Sequence, residues 1–415
     1  MKKSVIALAA MAVVGGASAQ VTISGIMDAY VGSGNQFGQK YSVLGQSGAR
    51  TTTFKFNGVE DMGGGLKAKF QFEIQPQFVA SDGNAFNTTV WGAGLGNNGA
   101  AQTAATNQIS SGLAGKGQSY LALEAGGFDV RLGTNNVTGI DVQLNGAGAF
   151  GTAIGSGYGA GFGSTSQNTY TRFEESIKIV TPKMNGFTGT YLTNLKNDKS
   201  YGSSAGGYTL RRPAVSEWGA MYSNGPLALA ASLLSSKQSA NEATTTSAST
   251  TNYTALTSDV TTKYTSYSAS YDLGTARLGF NSQKVKNDAS AYNSSTAITG
   301  SPATDAKFQM VFVQVPMGKY RVMVGSGKYS LTNNPATILN GTKNTLTSFA
   351  LEYDVSKRTY LYGRFQSGSN GATNGANTLV NGTVDTGSSI TAGNTAAQLR
   401  TQTFNLGAIG ISHAF

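Results

Sequence analysis

The sequence predicts an all-β fold: a 16-stranded antiparallel transmembrane β-barrel, with short turns at one end and long loops at the other. Three observations carry that reading. Segment after segment alternates with a period of two, which gives a strand two different faces. Short Gly-containing turns and long polar stretches then take turns along the whole chain. Finally, charged residues are only 12% of the chain, about half the ~25% of a soluble domain. The chain is nevertheless not hydrophobic on average, as expected when half of each strand faces lipid and half faces water.

Residues 1–19 read as a segment removed before folding. Lys2 and Lys3 precede the apolar run Val5 to Val14, and Ala17-Ser-Ala19 is a small-residue cleavage site. This is the pattern of a secretory signal peptide. The barrel is then expected over 20–415, and loss of the two lysines lowers the formal net charge from +10 to +8. With no cysteine, disulfides and thiolate metal sites are excluded. No later apolar run reaches the roughly 18 residues of a membrane-spanning helix.

Val21-Thr-Ile-Ser-Gly-Ile-Met-Asp-Ala-Tyr-Val-Gly32 opens the alternation, with Asp28 on its polar face. Residues 33–49 read as a loop, 50–57 as the second strand, and 58–65 as a turn. The third strand, from 66 to 77, alternates most clearly: Leu66, Ala68, Phe70, Phe72 and Ile74 oppose Lys67, Lys69, Gln71, Glu73 and Gln75. A long loop leads to 118–124, and Ala125-Gly-Gly127 turns into 128–134. After a second long segment the strands continue at 172–182, 188–194, 215–223, 227–235, 263–272 and 276–286. They end with 307–315, 320–330, 347–354, 359–367 and 403–415. The last of these places Ile409, Ile411, His413 and Phe415 on one face and Ala408, Gly410, Ser412 and Ala414 on the other. An open apolar edge invites aggregation, so this strand is expected to pair with the first and close the barrel through Phe415. Sixteen strands leave a water-filled lumen. A β-solenoid would show a fixed period, and none is present; a surface adhesin, to which the Asn/Thr/Ser/Gly-rich stretches at 236–262 and 368–402 point, is the alternative of a different class.

Five stretches in chain order resemble the general porins of the Gram-negative outer membrane, of the β-proteobacterial type. They are Val21-Thr-Ile-Ser-Gly-Ile-Met-Asp28, Gly58-Val-Glu-Asp-Met-Gly-Gly-Gly-Leu-Lys67, Glu175-Ser-Ile-Lys-Ile-Val-Thr-Pro182, Val355-Ser-Lys-Arg-Thr-Tyr-Leu-Tyr362 and Gly410-Ile-Ser-His-Ala-Phe415. The resemblance implies short periplasmic turns, long extracellular loops and a third loop folded into the lumen, which by position is Thr134 to Tyr170. It also implies a homotrimer in outer-membrane lipid, inserted by the barrel-assembly machinery. Passive passage of small hydrophilic solutes and ions, with no cofactor, follows from the same resemblance. A porin selective for an organic acid or phosphate is the alternative of the same class. Two positions depart from the family pattern. Thr53 and Lys55 stand where an arginine is frequent in strand 2, and Leu132-Gly-Thr134 stands where Leu-Gly-Arg is frequent. Arg50 and Arg131 lie close by.

In a pore the chemistry lies in lumen-facing charges. Alternation puts Lys55, Lys67, Lys69, Arg131, Arg172, Lys178, Arg277, Arg321 and Arg364 on polar faces, together with Asp28, Glu73, Asp129, Glu174 and Glu352. Many of these are expected to pair across strands. The basic subset Lys55, Lys67, Lys69, Arg131 and Arg172 belongs to strands 2, 3, 5 and 6, next in the chain to the third loop, whose single acid is Asp141. With Glu174 and Asp141, these residues form the expected pore lining, and a basic wall opposite a weakly acidic loop favours anions.

Other functions find little support. His413 is the only histidine and sits on the lipid-facing parity, so a Ser-His-Asp triad or a typical zinc site has no good candidates. Glu174 and Glu175 are adjacent in a strand and face opposite ways. Basic residues are dispersed, with no stripe interleaved with aromatics, so no nucleic-acid partner is expected.

Overall fold

The structure is a computed structural model. It describes residues 20–36, 39–76, 79, 117–157, 172–195, 200–201, 208–209, 214–238, 243–244, 254–255, 260–287, 305–332, 343–369, 379–380, 383–384 and 403–415. The expected signal segment 1–19 and most of the long polar stretches lie outside these residues.

Sixteen strands form one closed antiparallel sheet. In order they are β1 (Gln20–Gln36), β2 (Gln39–Gln46 continued by Thr53–Gly63), β3 (Leu66–Ile74), β4 (Ser119–Ala125) and β5 (Phe128–Asn136). Then come β6 (Arg172–Val180), β7 (Phe187–Asn194), β8 (Ala214–Asn224), β9 (Leu227–Gln238), β10 (Val260–Asp272) and β11 (Arg277–Asn287). The last five are β12 (Asp305–Met317), β13 (Tyr320–Thr332), β14 (Lys343–Asp354), β15 (Thr359–Ser369) and β16 (Thr403–Ala414). Each strand pairs with the next, and β16 returns to β1 in a register running from Ile26↔Ala414 to Asn35↔Asn405. The ring of strands therefore closes on itself, which is what a lipid environment demands.

The alternation maps onto the two faces as the sequence predicts. On β16 the outer face carries Ile409 and Ile411, whereas Leu406, Ala408 and Ser412 are buried inside. Leu121, Leu123, Val311 and Val313 are likewise exposed to the outside. Tilted aromatic pairs add to that outer face, among them Tyr191 on Trp218 with ring centroids 4.5 Å apart.

Three readings of the wall need correction. The turn expected at 58–65 is only Gly64 and Gly65, because the strand runs on to Gly63 and pairs with the next one from Gly58↔Phe70 to Gly63↔Leu66. Residues 33–49 are not a loop: Gln39–Gln46 is strand, and it pairs with Ala29 to Gln36 of β1. The second strand therefore starts early and is broken instead at 47–52. In β6 the strict alternation fails, because Glu175 adopts a positive φ of 51° and the register to β5 shifts between Gly133 and Asn135. Phe173 and Ser176, an odd and an even position, are both buried as a result.

Inside the barrel, helix α1 (Thr138–Ala147) and a single 3-10 turn (Gly148–Phe150) follow β5. The inward-folded third loop is thus present over its described part, 137–157, and residues 158–171 lie outside the description. The loop lies against the wall through an apolar cluster of Val137, Ile140, Ala147 and Phe150 with Phe173, Leu192, Tyr264, Phe308, Met310 and Phe312. Complete burial of Phe150 and of Ile154 contributes about 1.5–3 kcal/mol each. At Gly146 a Cβ would come within 2.8 Å of the Phe280 carbonyl oxygen, so only glycine lets the helix approach β10 and β11 this closely.

Candidate pore constriction

The described part of the third loop, 137–157, is anchored near both of its ends by buried charges of the wall. At the start of α1 the Glu217 carboxylate accepts the N–H groups of Thr138 (2.8 Å) and Gly139 (3.0 Å) and the Ser232 hydroxyl. A helix N-terminus presents unpaired N–H donors and a positive dipole end, so a carboxylate is the fitting cap. Midway, Asn145 donates to the Ala228 carbonyl (3.2 Å) and Ser268 Oγ (3.1 Å). At the far end Arg364 donates to the carbonyls of Phe150 (3.3 Å) and Ile154 (3.2 Å) while paired with Glu352 at 2.8 Å. Gly155 closes the set, its N–H donating to Gln366 Oε1 and its carbonyl accepting from Ser348 Oγ. The loop is a fixed strap across the lumen.

Between the strap and the opposite wall lies a cavity of about 590 Å³. The loop side is uncharged, formed by Ile140, Leu144, Gly148, Gly151 and Thr152. The wall side carries Arg50, Lys55, Arg172, Arg321 and Lys357 against Glu73, Glu352 and Asp354. Lys55 is 3.5 Å from Glu73, and Arg321 holds both Glu352 (3.0 Å) and Asp354 (2.7 Å). Among the described residues Arg50, Arg172 and Lys357 have no ion pair, so the surplus of positive charge resides on them. Arg50 and Arg321 both stack on the Tyr360 ring, each 5.5 Å from its centroid.

The residues expected from sequence divide into two groups. Lys55 and Arg172 line this cavity. Lys67, Lys69 and Arg131 do not: Lys67 lies 3.8 Å from Glu124, Lys69 contacts Glu124, and Arg131 pairs with Asp129 at 2.9 Å while stacking on Tyr120. These form a paired ladder on β3, β4 and β5, in which three basic side chains share the carboxylates of Glu124 and Asp129, as cross-strand pairing favours. Glu174 is exposed at the β6 bulge and is absent from the cavity lining, because the irregular register removes it from the inward face. Asp141 also misses the cavity. It is half-buried on α1, where desolvation raises its carboxyl above the usual carboxylate range against the opposing pull of Lys178 and Arg131. Sequence reasoning named Arg50 only as lying close to where the family arginine is frequent, and did not single out Lys357, Tyr360 or Glu217. Their roles depend on the break in β2 and the path of the loop, for which alternation carries no signal.

A pH effect follows from Asp141. A carboxyl with a raised pKa takes up its proton while the pH is still above the usual carboxylate range, and the loop then loses its one negative charge. Anion preference of the wild type is therefore expected to increase as pH falls from 7 to 4, by less than about two-fold because the charge is screened within ~8 Å. Asp141→Asn should show the higher preference already at pH 7 and lack that part of the rise. Equal pH profiles of reversal potential in the two proteins would contradict this role.

Comparison with known proteins gives a consistent setting. Residues 5–373 match the Gram-negative porin family. Outer membrane porin protein 32 of Delftia acidovorans is 31% identical over 253 residues, which is 57% of this chain. That alignment spans 60% of the relative's own length. Among solved structures, an anion-selective porin from Comamonas acidovorans superposes with a TM-score of 0.63 at 20% identity, covering 96% of this chain and 100% of that one. The trimer form of OmpT from Vibrio cholerae gives a TM-score of 0.60 at 13% identity, covering 96% and 100%. At such identities these structures bear on the fold alone.

Proposed function

Because this chain belongs to the Gram-negative porin family, we propose that it is an outer-membrane channel through which small hydrophilic solutes diffuse passively, with a preference for anions. The observation that carries the preference is the pairing pattern at the cavity. Among the described residues, Arg50, Arg172 and Lys357 stand without ion pairs opposite a loop face with no charge. Charges farther from the cavity than a Debye length of roughly 8 Å do little. A homotrimer belongs to the same reading, a neighbour of the same fold being described in a trimer form.

The test is the reversal potential across a tenfold salt gradient in a planar bilayer. The wild type should prefer anions, and less so as salt rises. Arg172→Gln should lower the anion-to-cation permeability ratio by about two-fold or more, because one unpaired charge is removed from the narrow part. Arg131→Gln should leave the ratio nearly unchanged, since that residue is already paired. A cation-preferring wild type, or a larger effect from Arg131 than from Arg172, would overturn the assignment.

A further inference from the structure

The break in β2 is the feature that barrel architecture leaves unexplained. On β1, Ala29 faces Gln46 and Ile26 faces Thr53, so residues 47–52 occupy the space opposite only two positions of the neighbouring strand. Six extended residues advance about 20 Å, far more than that gap, and the excess turns into the lumen. A wall needs no such excursion, because a continuous strand would pair as well.

One carboxylate holds the turn. Asp28 is fully buried, on the inner parity of β1 with Tyr30. Its Oδ1 accepts the Gly48 N–H at 2.7 Å and the Tyr362 hydroxyl at 2.7 Å. Its Oδ2 accepts the Arg50 N–H at 3.0 Å, and the Ala49 N–H is shared between both oxygens at 3.3 Å. Three successive backbone N–H groups converging on one anion make a nest. Ser47 and Thr52 secure its ends: the Thr52 N–H donates to Ser47 Oγ at 3.0 Å, and Ser47 itself sits at φ 63°. A non-glycine residue persists in that conformation only where its surroundings over-determine it.

The consequence is the location of Arg50. Its backbone is fixed by Asp28, its guanidinium lies over Tyr360, and it lines the cavity without an ion pair. The turn also meets the third loop directly: the Ile154 N–H donates to the Gly48 carbonyl at 3.2 Å, and Ala49 and Ile154 share an apolar cluster. We propose that residues 47–52 are a second constriction element, with Asp28 the positioning residue that holds Arg50 in the lumen as a determinant of anion preference. This rests on the channel reading above. Asparagine at position 28 would offer one acceptor oxygen and turn an amide donor towards N–H groups, so the turn would open and Arg50 would leave its place.

Salt-gradient reversal potentials of the full-length channel test the proposal. Arg50→Gln should lower the anion-to-cation ratio about two- to five-fold. Asp28→Asn should lower it to the same extent, and the double variant no further than either single one, as expected when one residue acts through the other. The chain has no cysteine, so Arg50→Cys carries a single thiol. A cationic methanethiosulfonate should restore anion preference there, and an anionic one should depress it further. Heat-stable oligomer on gels reports folding separately; if Asp28→Asn does not assemble, Tyr362→Phe, which removes one donor, should still give a smaller shift in the same direction. A wild type without anion preference overturns the channel's anion reading itself. An anion-preferring wild type whose ratio is unmoved by Arg50→Gln and by both reagents overturns the role of Arg50. Additive effects of Asp28→Asn and Arg50→Gln overturn the positioning role of Asp28.

Discussion

Phe415→Asp leaves the protein misassembled and sensitive to protease, with little or no heat-modifiable oligomer. Phe415 makes the last rung between β16 and β1: its N–H donates to the Gly25 carbonyl and its carbonyl accepts the Gly25 N–H, both at 3.1 Å. Its ring passes over Gly25, where a Cβ would lie 2.4 Å from the ring carbon Cζ, and reaches Phe54 with centroids 5.2 Å apart. The aromatic contact is worth about 0.5–1.5 kcal/mol beyond its area. The larger loss is that a carboxylate then occupies the apolar outer face at the seam where the sheet closes. Closure is the step that removes the unpaired edge, and an unclosed barrel exposes those groups to lipid at several kcal/mol each. Gly25→Leu attacks the same contact from the other strand and should fail in the same way. Oligomer yield and protease resistance at wild-type levels in both variants would show that the seam does not depend on this ring.

The seam and the strand count were legible because each follows from a simple rule, whereas the inward third loop was an implication of the family resemblance. Period-two alternation reports a two-faced wall, and a closed wall pairs its last strand with its first. What alternation cannot report is where a strand stops obeying it. Residues 47–52 and Glu175 look like ordinary strand or loop in sequence, yet a buried acceptor at Asp28 bends the first and a positive φ bends the second. The candidate site was therefore legible in type but not in membership. A lysine on the polar face is equally visible whether it lies away from the cavity, as Lys69 does, or lines it, as Lys55 does. Both meet a carboxylate on the next strand, so only the path of the third loop and of the turn at 47–52 decides which of them faces the cavity. Glu217 illustrates the same limit: an acid in mid-strand announces a polar face, whereas its task as the cap of α1 depends on a helix 79 residues earlier.

Excising residues 140–156 and rejoining the ends with a short Gly-Ser link should widen the channel while the barrel still assembles. The strand ladder that makes the wall does not include these residues. A helix with its side chains is about 10–12 Å across, so removing α1 and the strap that follows should raise single-channel conductance about two-fold or more. Anion preference should fall at the same time, because Arg50 and Arg172 would then face a wide, screened lumen rather than a narrow one. The cost falls on the far wall, where Phe308, Met310 and Phe312 lose their apolar cover at roughly 25 cal/mol per Å² exposed; heat-stable oligomer should therefore melt earlier than the wild type. Glu217→Ala is the smaller version of the experiment. It takes the acceptor from the Thr138 and Gly139 N–H groups, which costs about 0.5–2 kcal/mol at a helix cap, and should loosen the start of the strap while Arg364 and Gln366 still hold its end. Conductance should then rise by less than in the deletion, with noisier open levels. A deletion variant that assembles and conducts like the wild type would show that the strap does not set the narrowest cross-section.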